Sequence, residues 1–252
     1  MAACAPPKEL LDRAPEPEST LEPERFRWRP DDDALQPVRP SRRRALEALP
    51  DGGSVLDVGV GGGASSLGLV PQAALITGVD PLEGMLASFR DSARTAGVEA
   101  RAVHGTWPDA VDEVEPADVA VCHHAMYGVA EIEAFVAALT ARARRRVVIE
   151  LSARHPLSGL DPLWKAFHGI DRPARHVVDE AEEVVAAMGL EVSREDIALP
   201  PPANPEVTPS LVAFARRRLF VGPERDAEIA EFLAARVPTE HEVGALWWPG
   251  GA

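Results

Sequence analysis

The chain has 252 residues, 46% hydrophobic and 26% charged, which suits one substantial soluble domain with at most a modest appendage. Forty acids against 26 Lys and Arg leave a formal charge of −14, which argues against DNA or RNA as a partner, because nucleic-acid binders present a basic face. Cys4 and Cys122 make neither a disulfide framework nor a zinc spacing, and no tight His/Asp cluster suggests a metal. No apolar run reaches the length of a membrane span, and the first residues lack the basic and apolar regions of a secretory signal, so a cytoplasmic location is expected.

Residues 1–40 form an arm dense in Pro, Glu and Arg, and residues 1–20 are expected to be disordered. Phe26 and Trp28, in "RFRW", either staple this arm to the body or close over a ligand; both readings stand at this point. From residue 41 strand and helix signals alternate: a helix over "RRRALEAL", then strands "SVLDV", "ALITGV", "VEARAV", "ADVAVC" and "RVVIEL". Between them Leu82, Met85, Leu86, Phe89 and Ala93 share one helical face that Gly97 should end, and Ile132, Phe135, Val136 and Leu139 share another. The basic run Arg142–Arg146 reads as a helix C-terminus complementing its dipole, and the arginines at 42–44 and 216–218 as solvated faces.

Residues 152–178 break the rhythm with an aromatic- and His-bearing insertion. A helix follows over "DEAEEVVAAMG", with Asp179 and Glu182 as cap signals and Gly189 as its stop, and then a strand, "LEVSREDI". Thr208-Pro209 and Gly222-Pro223 each open a helix, and "EVGALWW" is a last strand. Short buried strands separated by amphipathic helices predict an α/β fold, a Rossmann-like doubly wound sheet of seven mostly parallel strands, with helical insertions forming a cap.

In "VLDVGVGGGASS" four glycines fill five positions directly after the first strand, at the sheet edge where open α/β folds bind nucleotides. Asp80 ends the second strand, where an acid can accept both ribose hydroxyls. Gly59, Gly61 and Ala64 also satisfy the dinucleotide pattern, but Asp57 would repel a pyrophosphate and would welcome the ammonium group of a cationic cofactor. Charge therefore favours S-adenosylmethionine over NAD.

With these residues in place, "VLDVGVGGG" resembles motif I of the class I S-adenosylmethionine-dependent methyltransferases, with the acid on Asp57 and the glycines on Gly59, Gly61 and Gly63. "ITGVDPLEGML" resembles the next motif, which implies that Asp80 holds the ribose and Met85 touches the adenine. "ADVAVCHHAMYGV" resembles the fourth-strand motif, whose end, here Cys122, His123 and His124, lies between cofactor and acceptor. The resemblance covers roughly residues 41–151 well and the remainder by strand order only. It implies a methyltransferase domain over residues 41–252 with insertions at 152–178 and 199–241; the high Ala, Arg and Pro content points to a bacterium, and the cap-like C-terminal half without a basic surface to a small-molecule acceptor. The acid that many members carry after the third strand is missing; Gly105, Thr106 and Trp107, in "HGTWP", stand in its place and are expected to take its task.

The expected reaction is methyl transfer to O or N of a small molecule, a secondary metabolite being the favoured class, with positioning supplying much of the catalysis. His124 is the candidate base, and His123, Tyr127, His155 and Trp164 are candidate acceptor contacts. The plainer reading makes His155 a turn residue and Trp164 part of a helical core. An NAD(P)-dependent oxidoreductase and a catalytically silent cofactor-binding protein are the alternatives, and a homodimer is left open as the assembly.

Overall fold

The computed structural model describes residues 7–14, 26–31, 38–172, 176–201, 206–237 and 240–252. In chain order the elements are α1 (Lys8–Arg13), α2 (Pro40–Ala48), β1 (Gly53–Val58), β2 (Ala73–Asp80), α3 (Glu83–Ala96), β3 (Glu99–His104), β4 (Ala117–His123), α4 (Ile132–Ala141), β5 (Ala143–Ser152), α5 (Asp161–His168), α6 (Val177–Ala187), β6 (Ser193–Leu199), α7 (Pro209–Leu219), α8 (Asp226–Ala235) and β7 (His241–Pro249). The strands form one sheet in the order β3-β2-β1-β4-β5-β7-β6. β1 to β5 pair in parallel, whereas β7 inserts antiparallel between β5 and β6. This is the expected seven-stranded, mostly parallel architecture.

The pleat sorts side chains onto two faces. Leu56, Ala120, Cys122, Val147, Ile149 and Leu151 enter one core, covered by α4 and α6. Val55, Val119, Val121 and Val148 enter the other, with Ala45 of α2 and Leu86, Phe89 and Ala93 of α3. Continuing the alternation to the C-terminal strand ends puts Asp57, His123 and Glu150 on the α2–α3 side. Gly97, at φ 72°, ends α3 as the sequence indicates, its N–H bonding back to Ala93 and Arg94.

Outside the sheet a third apolar cluster joins Leu163 and Trp164 of α5, Val212, Ala215 and Leu219 of α7, and Ile229 and Leu233 of α8. Leu10 and Ala14, at the arm's first helix, pack against it.

Three expectations are corrected. Residues 8–13 form a helix inside the stretch expected to be disordered; residues 1–6 and 15–20 of that stretch lie outside the described residues. Arg144, Arg145 and Arg146 belong to β5 and not to a helix end, because the chain leaves α4 at Arg142 and pairs from Ala143 onward. Asp179 and Glu182 do not cap α6, which starts at Val177; both instead bind Arg194 of β6, at 2.7 and 2.9 Å.

Candidate active site

A cavity of about 910 Å³ opens at the C-terminal ends of the parallel strands, within the size range of small-molecule sites. One side is the loop Gly59–Gly62 with Ala64 and Ser65, followed by Asp80, Pro81, Leu82 and Met85. Gly105, Thr106 and Trp107 continue this wall. The other end is His123, His124, Ala125, Glu150, Ser152 and Pro156, with His241 and Val243 from β7. Phe26–Arg29 of the arm and Arg39, Ser41 and Arg42 around α2 close the third side.

The loop is bare because neighbours leave no room. Gly59 has φ 73°, and a Cβ there would collide with that of Ala125. Its N–H and that of Val60 donate to Val79 O at 2.8 and 3.1 Å, locking the loop to the end of β2. Asp80 completes the lock: Gly61 N donates to Oδ2 at 3.0 Å and Leu82 N to Oδ1 at 2.9 Å. Burial raises its pKa, with those two bonds opposing the rise. A carboxylate offers about four lone-pair sites, so Asp80 retains capacity for ligand hydroxyls.

Asp57 lies under the loop, fully buried and not on the cavity wall. Ser66 Oγ donates to its Oδ2 at 2.6 Å, while Oδ1 has no partner among the described residues. Burial pushes the carboxyl up to about 7, against the hydroxyls of Ser66 and Ser65, which lower it. A buried acid with an unused oxygen behind a glycine loop suits a cationic group nearby. The bare loop and the Asp80 carboxylate fit an adenosyl cofactor.

At the other end, a network that the sequence did not reveal centres on Glu150, 1% exposed at the end of β5. Arg39 Nη1 makes a short ion pair with Oε1, and Ser41 Oγ donates to Oε2 at 2.6 Å. His124 Nε2 lies 3.2 Å from Oε1, and its backbone N–H donates to Glu150 O at 2.8 Å. Burial would raise the Glu150 carboxyl, but the bond from His124, the charges of His123 and Arg39 and the Ser41 hydroxyl outweigh it and hold it well below the usual carboxylate range. His124 stands at φ 55°, a left-handed conformation uncommon for a residue with a side chain, and such outliers gather at functional sites.

His124 Nδ1 lies 2.9 Å from Tyr127 Oη, which accepts Ser152 N–H at 2.8 Å. Neutral imidazole bonded to a carboxylate through Nε2–H leaves the Nδ1 lone pair as the acceptor. His123 is on the wall, half-buried, with Nε2 unpartnered among the described residues. Burial lowers its pKa to about 4, opposed by Glu150.

Other sequence candidates lie off the wall. Gly63 turns behind the loop at φ 92°, and Cys122 is buried in the first core, where burial raises its thiol. Tyr127 meets the wall through His124 and Ser152. His155 Nδ1 accepts Leu157 N–H at 3.1 Å, which makes it the turn residue of the plainer reading. Trp164 is core of the helical insertion, 4% exposed. Among the described residues no group of three His, Cys, Asp or Glu could hold a metal, and no helix is long and apolar enough to cross a membrane.

Residues 55–146 match the methyltransferase domain family. Solved structures share the fold at low identity. The YcgJ protein from Bacillus subtilis is 15% identical over 84% of this chain and 98% of that one, with a TM-score of 0.56. A SAM-dependent methyltransferase from Thiobacillus denitrificans, in complex with S-adenosyl-L-homocysteine, is 19% identical over 86% and 93%, at 0.52. Magnesium protoporphyrin IX methyltransferase from Synechocystis PCC 6803, with bound SAH, is 13% identical over 97% and 94%, at 0.51. No curated protein sequence matches. Residues 55–146 thus match a methyltransferase domain, and the whole sheet shares its fold with these structures.

Proposed function

We propose that this chain binds S-adenosylmethionine between the glycine loop and Asp80 and methylates an O or N atom of a small molecule, a secondary metabolite being the favoured class. The observation that carries the reading is Asp80, pinned by two backbone N–H groups beside a bare loop on the wall of a sheet-edge cavity. S-adenosylmethionine supplies an activated methyl group on a sulfonium. Asp80 accepts the ribose hydroxyls, Met85 and Trp107 flank the base with Gly105 and Thr106, and Asp57 braces the loop from beneath through Ser66.

The acceptor lies at the His123, His124 and Ser152 end, with Val243 and Pro156 as its apolar boundary. Glu150 and Tyr127 hold the His124 ring on the cavity wall, and an acceptor O–H or N–H takes the place of the Tyr127 hydroxyl at Nδ1. His124 would take that proton as the acceptor's bond to the methyl carbon replaces the methyl's bond to sulfur, leaving S-adenosylhomocysteine. Base, orienting carboxylate and bound donor follow the general logic of a positioned acid–base pair.

The test is tritiated S-adenosylmethionine with a panel of phenols, alcohols, amines and thiols. Label on oxygen or nitrogen that is lost in His124→Gln supports the reading. Label on sulfur alone, or undiminished transfer in His124→Gln, contradicts it. Calorimetry with S-adenosylhomocysteine adds a check that needs no acceptor: Asp80→Ala is expected to abolish the binding heat.

A further inference from the structure

The glycine loop contains a residue whose bareness the backbone does not require. Gly59, Gly61 and Gly63 all have positive φ, at 73°, 52° and 92°, but Gly62 does not, so no left-handed backbone calls for glycine there. What forbids a side chain at Gly62 is the arm: a Cβ there would run into the carbonyl of Phe26 and stand 2.7 Å from Arg27 Cα. Arg27 makes isolated β-bridges to both Gly62 and Gly63. Phe26, Arg27, Trp28 and Arg29 all line the cavity from this seat.

The arm is tied on either side of that seat. Leu10 and Ala14 pack on the helical insertion, and Arg39 ion-pairs with Glu150 at the cavity end. Trp28 packs its ring on the second core, while its Nε1–H is buried with no partner among the described residues. A buried donor without an acceptor is costly in a native structure and calls for an explanation, which a bound ligand would supply.

We propose that Phe26–Arg29 is a wall of the cofactor site, a strap laid across the glycine loop, and that Gly62 is glycine in order to seat it. The two readings open from the sequence join in Trp28, which staples the arm to the second core and also lines the cavity. The inference rests on S-adenosylmethionine being the cofactor. Cofactor affinity then depends on the arm, and the indole of Trp28 senses occupancy.

The test uses S-adenosylhomocysteine and the full-length protein. Trp28→Ala and Gly62→Ala are each expected to weaken binding by about tenfold, as the loss of one buried aromatic contact would. Because Gly62 acts through the arm, the double variant should bind no more weakly than either single one. The indole N–H resonance absent from Trp28→Phe is expected to shift on ligand addition in wild type and to stay still in Gly62→Ala. Unchanged affinity in Trp28→Ala, or an unmoved Trp28 resonance while ligand binds, overturns the strap. Additive losses in the double variant would do the same, since Gly62 would then touch the ligand directly. If Gly62→Ala fails to fold, the affinity of Trp28→Ala and the wild-type resonance decide alone. Should wild type not bind S-adenosylhomocysteine, the cofactor reading falls first and the strap with it.

Discussion

His124 Nε2 and Glu150 Oε1 meet at 3.2 Å across 26 residues of chain, at the ends of two adjacent parallel strands. Glu150 is buried there with Arg39 and Ser41 as further partners, so its charge is matched on every side the structure describes. Glu150→Gln is expected to cost roughly 1–3 kcal/mol in urea unfolding at pH 7, the usual cost of losing a charge-assisted bond. The wild-type carboxyl is depressed below its unfolded value, so its stabilisation is present above about pH 4.3 and fades as pH falls below that. The gap between wild type and Glu150→Gln should therefore narrow on acidification; a gap independent of pH would contradict the pairing.

Asp57 and His123 act on pH dependence in opposite senses. The folded protein holds a proton on Asp57 up to about pH 7, whereas the unfolded chain releases it near 4, so this group lowers stability as pH rises between those values. Asp57→Asn removes the slope: its urea midpoint relative to wild type should climb from pH 4.5 to pH 6.5. A constant difference would mean the buried carboxyl is not proton-bound.

His123 releases its proton on folding, with a folded pKa of about 4 against about 6.5 unfolded. The unfolded chain binds more protons in that window, so this group raises stability as pH rises through it. His123→Leu should gain on wild type as pH falls from 6.5 towards 4.5. At pH 7 it should stay within about 1 kcal/mol of wild type, because an unpartnered buried nitrogen is exchanged for an apolar side chain. A larger loss at pH 7 would show that Nε2 has a partner in solution.

Trp164→Ala separates core from substrate contact. Trp164 packs with Leu219, Phe220 and Ile229 in the insertion cluster, so truncation is expected to cost about 3–5 kcal/mol by calorimetry. Affinity for S-adenosylhomocysteine should remain within twofold. A stable variant with weakened ligand binding would return Trp164 to the site.

The glycine-loop side of the cavity was legible because its signals are local. A glycine-rich turn after a buried strand, and an acid ending the next strand, are adjacent in sequence and in space. The Glu150 network was not legible, since Arg39, Ser41 and His124 reach it from distant parts of the chain. The one available signal was an acid inside the apolar run "RVVIEL", where a charge has no reason to be buried without partners. The helical insertion concealed Trp164 for a similar reason: "LWKAFHG" has the spacing of a core helix and of an aromatic contact alike, and only the packing of α7 and α8 decides between them.

The most direct measurement is thermal unfolding of the protein alone, with S-adenosylhomocysteine and with NADH. A ligand at about 100 times its Kd adds roughly 2.7 kcal/mol, worth roughly 5–11 °C in a chain of this size. The expected result is a rise of that order with S-adenosylhomocysteine and none with NADH. A rise with NADH alone would contradict the methyltransferase reading and give the glycine loop to a dinucleotide.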